Sequence, residues 1–106
     1  MTNTALKLLK EAAKRGWSFK VGKPDDGGWT GEGYDYEGKG PVAAWNAVKE
    51  VGESDVDFFD GDGKRIGWAY LMAPGAITCS PEESLVDHTM GGEFGALADS
   101  IIDSVL

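Results

Sequence analysis

Two β-prone runs separated by Asp60-Gly61-Asp62-Gly63 constrain this chain more than any other stretch. Asp-Gly between such runs is a strong short-range hairpin signal. Segments 55–60 and 64–72 are therefore expected to pair as antiparallel strands. On the second run Ile66, Trp68 and Tyr70 share one face and Gly67, Ala69 and Leu71 the other, because side chains alternate along a strand. Both faces are largely apolar, which places this strand inside a sheet, with helices over one face or both.

The flanking segments supply those helices. Leu6, Leu9 and Ala13, with Ala5, Leu8 and Ala12 beside them, form a helical stripe over 4–15. Thr4 or Asn3 can cap its start and Gly16 its end. Trp17, Phe19 and Val21 alternate with polar residues, the pattern of a half-buried strand. Pro41 opens a second helix, 41–51, with Ala44, Trp45, Val48 and Val51 on its apolar side and Gly52 ending it. Ser80-Pro81-Glu82-Glu83 reads as a capping box for a short helix near 81–88. Phe94, Leu97, Ala98, Ile101 and Val105 mark a last helix over 93–105. The expectation is one α+β domain over 1–106. Its small antiparallel sheet has three to four strands around the 55–72 hairpin, packed by three to four helices.

Charge is divided unevenly along the chain. Residues 1–23 carry Lys7, Lys10, Lys14, Arg15, Lys20 and Lys23 against Glu11 alone, a balance of +5. The rest carries Lys39, Lys49, Lys64 and Arg65 against 17 acids, a balance of −13, and the net charge is −8. Such a surface repels nucleic acid and anionic membranes. No run of about 18 apolar residues points to a membrane span, and the N-terminal segment lacks the apolar core of a secretory signal. With the lone Cys79, which cannot form an internal disulfide, these features lead to the expectation of a cytoplasmic protein.

Candidate chemistry is sparse. An EF-hand loop starting at Asp60 would place Lys64 and Leu71 where oxygen ligands are required, so a hairpin turn accounts better for the acids. Zinc needs four ligands, and one Cys and one His do not supply them. Asp55, Asp57, Asp60 and Asp62 could collect a divalent cation weakly, but read rather as solvated acids on an edge strand, with Asp55 and Asp57 on one side and the other two in the turn. Cys79 and His88 could form a nucleophile–base pair with Asp87 orienting the imidazole. The expected helix would hold them about 13 Å apart, leaving His88 as a surface residue. The glycine-rich turns carry acids where a phosphate cradle has a lysine. No metal or cofactor is expected.

The segment 22–40 is the most function-like. Its seven glycines separate Trp29, Tyr34 and Tyr36, amphipathic rings of the kind that anchor protein interfaces. Asp25, Asp26, Glu32, Asp35 and Glu37 would attract a basic partner. Alternatively, Tyr34 and Tyr36 form an edge strand and Trp29 covers the core.

AAWNAVKEV followed by DFFDGDGKRIGWAYLM, within residues 34–72, resembles small uncharacterised phage and prophage proteins. The likeness is one of layout: a Trp-bearing helix, then a hairpin reaching Gly67-Trp68-Ala69. It implies a small accessory protein that binds a host or phage protein, and brings with it no activity or site residues. Together these features point to a non-enzymatic acidic interaction module whose protein partner has a basic surface, in its sharpest form an inhibitor or DNA mimic acting on a nucleic-acid-binding protein. Two alternatives stand beside it. One is a small enzyme or ligand-binding domain with a pocket of Trp29, Trp45, Trp68 and Tyr70 and a carboxylate base. The other is head-to-tail self-assembly of the two charge regions.

Overall fold

Buried and half-buried residues alternate along the three inner strands of the sheet, and one side of the sheet is sealed by helices. A computed structural model describes residues 3–22, 34–73 and 84–104. Helix α1 (Thr4–Lys14) leads into β1 (Ser18–Gly22). After β2 (Tyr34–Gly38) come α2 (Pro41–Val51), β3 (Glu53–Phe59), β4 (Arg65–Met72), β5 (Leu85–His88) and α3 (Gly92–Asp103). The strands form one sheet in the order β2-β1-β3-β4-β5, and every neighbouring pair is antiparallel. Helix α2 carries the chain from edge strand β2 past β1 to β3. No helix among the described residues is long and apolar enough to cross a membrane.

The α+β class and the central hairpin agree with the sequence, but the element count differs. The sheet has five strands rather than three to four, and three helices lie among the described residues. The difference comes from 81–88. Residues 85–88 pair with β4 as a strand, so the helix expected there does not form across them. The capping box, residues 80–83, lies outside the described residues. Backbone partners explain the strand. Met72 N–H donates to Ser84 O (2.8 Å) and Thr89 N–H to Trp68 O (3.0 Å), while Trp68 N–H donates to Thr89 Oγ1 (2.9 Å). A polar node then ties β5 to α1. Asn3, not Thr4, is the N-cap, accepting from Leu6 N–H (2.9 Å). Thr4 is fully buried, and its hydroxyl accepts from Leu85 N–H (3.0 Å). Ser84 Oγ donates to Asn3 Oδ1 (2.9 Å) and accepts from Ala5 N–H (3.1 Å).

All three helices lie on one face. Helix α2 packs on β1 to β4, α3 packs on β4 and β5, and α1 rests against both helices. Ala5, Leu8, Leu9 and Ala12 of α1, Ala44, Trp45 and Val48 of α2, and Phe94, Leu97, Ala98 and Ile101 of α3 meet Phe19, Val21, Val56, Phe58, Ala69 and Leu71 of the sheet. Four rings form a continuous chain through this core. Phe19 meets Phe58 edge-on (5.5 Å), Phe58 lies 4.7 Å from Phe94, and Phe94 meets Trp17 edge-on (6.4 Å). Such pairs add to stability beyond the area they bury.

Phe94 lies directly over Gly67. A Cβ at 67 would come 2.7 Å from Phe94 Cδ1 and 2.8 Å from Cγ, and Phe94 is itself buried among Trp17 and Phe58, so it cannot swing away. Gly67→Ala is expected to destabilise the protein by about 1–3 kcal/mol through overpacking. The opposite holds for Ser54, whose fully buried hydroxyl has no hydrogen-bond partner among the described residues. Ser54→Ala is expected to gain about 1 kcal/mol by removing an unsatisfied polar group. Urea unfolding of both variants measures these changes.

Candidate functional site: the open face of the sheet

With the helices gathered on one side, alternation sends a second set of side chains to the other. Strand β3 places Glu53, Asp55 and Asp57 in a row, because side chains two residues apart share a face. The hairpin register sets Met72, Tyr70 and Trp68 of β4 directly across from them. Lys20 of β1 stands opposite Asp57 and Glu37, and Asp87 of β5 stands opposite Tyr70. This face, which no described element covers, is thus a column of carboxylates on the middle strand beside a column of Trp68, Tyr70 and Met72, all half-buried.

The acids are held differently. Arg65 donates from Nε (3.1 Å) and Nη2 (2.9 Å) to Asp57 Oδ1, which neutralises the turn end of the row. Lys20 Nζ sits 3.7 Å from Glu37 and 5.1 Å from the centre of the Phe59 ring, a cation–π arrangement. Glu53 Oε2 accepts from the Tyr70 hydroxyl at 2.5 Å. Burial, then this hydrogen bond, pushes the Tyr70 phenol up to about 12. Asp55, between the other two, makes no hydrogen bond or ion pair to any described residue. Burial first, then the charges of Asp57 and Glu53, raises its carboxyl above the ordinary value of 3.8. The face therefore holds one carboxylate that gains from an incoming positive charge, flanked by rings that can cover the aliphatic part of a cationic side chain.

Several sequence expectations change here. Asp55 and Asp57 do share one side, but β3 is the middle strand and not an edge. Asp60 serves the turn, its Oδ1 accepting from Asp62 N–H (2.9 Å) and Lys64 N–H (3.0 Å). Among the described residues no group of three His, Cys, Asp or Glu side chains could hold a metal. The pocket imagined between Trp45, Trp68 and Tyr70 cannot form, because Trp45 lies in the helix-side core and the other two point to the open face. Trp29 lies outside the described residues.

His88 is not a surface residue; it is 7% exposed. Its Nδ1 must donate to Thr89 O (2.9 Å), since a carbonyl only accepts. Its Nε2 lies 3.3 Å from Asp99 Oδ1 of α3, an ion pair when the ring carries both protons. Asp87 does not orient the ring, and its carboxylate accepts instead from His88 N–H. The separation expected from Cys79 rested on a helix that residues 85–88 do not form, and Cys79 lies outside the described residues. Within the described residues no nucleophile is hydrogen-bonded to this ring, which clamps the β5 edge to α3.

Of the residues assigned to an interface in 22–40, Asp25, Asp26, Trp29 and Glu32 lie outside the described residues, and the backbone of Tyr34 and Asp35 belongs to β2. Tyr36 packs against the core, and its hydroxyl accepts from Gly40 N–H (2.8 Å). Glu37 is exposed and joins the open face beside Lys20. The basic N-terminal cluster is partly spent internally. Lys14 pairs with Glu11 (3.2 Å) and Arg15 with Glu93 (2.9 Å), and Arg15 also stacks over Trp17.

A cavity of about 340 Å³ between the hairpin turn and the start of α3 has Trp17, Ile66 and Phe94 as its floor. Its rim charges Arg65 and Glu93 already hold Asp57 and Arg15. Sequence reasoning placed Trp68 and Tyr70 on one face, with Ile66, which instead packs partly against the core, and Asp55 and Asp57 on one side, but did not join the rings to the acids. The register through the Asp60–Gly63 turn was the signal that could have done so. Comparison with protein-family models, with curated proteins and with solved structures yields no match.

Two measurements test this electrostatic description. Because the Asp55 carboxyl is raised on folding, its ionisation costs stability above that value, and the cost disappears once it is protonated in both states, below 3.8. Asp55→Asn is expected to raise Tm by about 2 °C at pH 7, with the gain closing as pH falls below 4. In ultraviolet titration one tyrosine is expected to ionise near 12, and Glu53→Gln is expected to bring it down.

Proposed function

We propose that this chain is a non-enzymatic interaction module that docks a basic protein surface on the open face of its sheet. The single observation that carries the reading is Asp55: a partly desolvated carboxylate on the middle strand with no hydrogen bond or ion pair to any described residue, between two other acids and beside Trp68 and Tyr70. Acid for charge and ring for area is the combination that makes interface hot spots. Glu37, which belongs to the 22–40 segment, extends the acidic surface beside Lys20. The phage-type resemblance, a small accessory protein acting on a host or phage protein, fits the same reading.

The carboxylates of β3 form one row, bordered by rings and by Lys20 and Arg65. Imitation of duplex DNA calls for charge in two backbone rows, so the arrangement favours ordinary protein docking over a phosphate mimic. The test is affinity capture from cell lysate with wild type and Asp55→Lys side by side, with and without competing duplex DNA. Expected is a stoichiometric basic partner held by wild type, lost on Asp55→Lys and retained against DNA. Displacement by DNA would favour the mimic, and a partner bound equally by both proteins would remove the open face from the interaction.

A further inference from the structure

We infer that the element docked on the open face is a basic amphipathic α-helix of the partner, aligned with β3. The inference rests on the docking reading above and adds the shape of what docks. Glu53, Asp55 and Asp57 stand at successive same-face positions, about 6.8 Å apart along an antiparallel strand. Cations at positions i, i+4 and i+8 of a helix rise about 6 Å from one to the next, so three of them span nearly the length of this row. On the same helix, residues i+3 and i+7 form the adjoining stripe. That stripe falls over the second column, where Trp68, Tyr70 and Met72 lie across from the acids.

Backbone chemistry selects a helix over an extended segment. A strand laid flat on a sheet face finds no ladder there, and its N–H and C=O groups lose water without gaining partners. A helix brings its own hydrogen bonds. The fold has the same preference on its other side, where the apolar face of the sheet is covered by helices throughout. Charge fixes the sign of the partner helix. Within the row, Arg65 answers Asp57 and Tyr70 answers Glu53, so the central cation of the incoming helix meets Asp55, the carboxylate of the row that no described residue answers. The exposed Asp87, beside Tyr70 in the register, borders the second column and repels a helix whose far edge is acidic.

The test uses an 18-residue synthetic helix with lysine at i, i+4 and i+8 and leucine at i+3 and i+7. Its controls are a proline-interrupted version, a scrambled version of equal composition, and unstructured poly-lysine. Binding to the full chain is followed by tryptophan fluorescence and by amide chemical-shift mapping at two salt concentrations. Expected are shifts centred on 53–57 and 68–72, affinity at least tenfold weaker for the proline and scrambled peptides, and a further tenfold loss with Asp55→Lys. The amide spectrum of that variant checks that it stays folded. Equal binding of helix, scrambled peptide and poly-lysine would overturn the helical inference while leaving the charge-docking reading in place. No binding by any cationic peptide would overturn both. Shifts confined to the helical side of the molecule would also overturn the inference.

Discussion

Phe94 has its place only because residue 67 carries no side chain. Helix α3 reaches the sheet by setting that ring on the bare backbone of β4, where it meets Phe58 from β3 and Trp17 from the connection between α1 and β1. Three separate elements are joined through one ring, and the contact decides which face of β4 turns inward. Once Gly67, Ala69 and Leu71 face the helices, Trp68, Tyr70 and Met72 must face the other way. The hairpin register then dictates that β3 sets Val56 and Phe58 inward and Asp55 and Asp57 outward. The composition of the open face is therefore a consequence of how the core is packed.

The same dependence explains what could be read without coordinates. Local signals were reliable where structure is local. Pro41 and Gly52 bracket α2 at the residues expected, with Gly52 at φ +103° ending it, and Asp60 to Gly63 builds the hairpin turn. They failed where a strand is made by distant partners. Leu85–His88 does not alternate, since Leu85 and His88 are buried while Val86 and Asp87 are exposed. A register shift opposite Tyr70 and Leu71 breaks the period. The bonds that hold this strand come from Thr4, about eighty residues away in the chain, and from β4. No window around 81–88 contains that information, whereas Ser80-Pro81-Glu82-Glu83 contains a strong local helix signal.

The burial of His88 follows from the same error, because its side depends on β5 being a strand. The place of β3 within the sheet was equally hidden. Pairing between β1 and β3 joins segments separated by the whole of β2 and α2, so solvated acids on β3 read naturally as an edge. Their grouping with Trp68 and Tyr70 was nearer to hand, since it needs only the hairpin and the alternation rule.

A row of acids on a middle strand runs against the economy of the rest of the fold. Asp57 has Arg65 and Glu37 has Lys20, and Glu53 has the Tyr70 hydroxyl, so the acids around Asp55 on this face each have a partner. At Asp55 the cross-strand neighbour is Tyr70, whose hydroxyl is already turned to Glu53, and β1 ends its pairing with β3 beside Val56. The geometry that places at the centre of the face a carboxylate that no described residue answers is the geometry that sets Tyr70 and Trp68 of β4 beside it. An incoming cation there would recover the electrostatic cost of Asp57 and Glu53 on Asp55 and cover Trp68 and Tyr70 at the same time. Those two gains coincide at one point of the surface, the middle of β3.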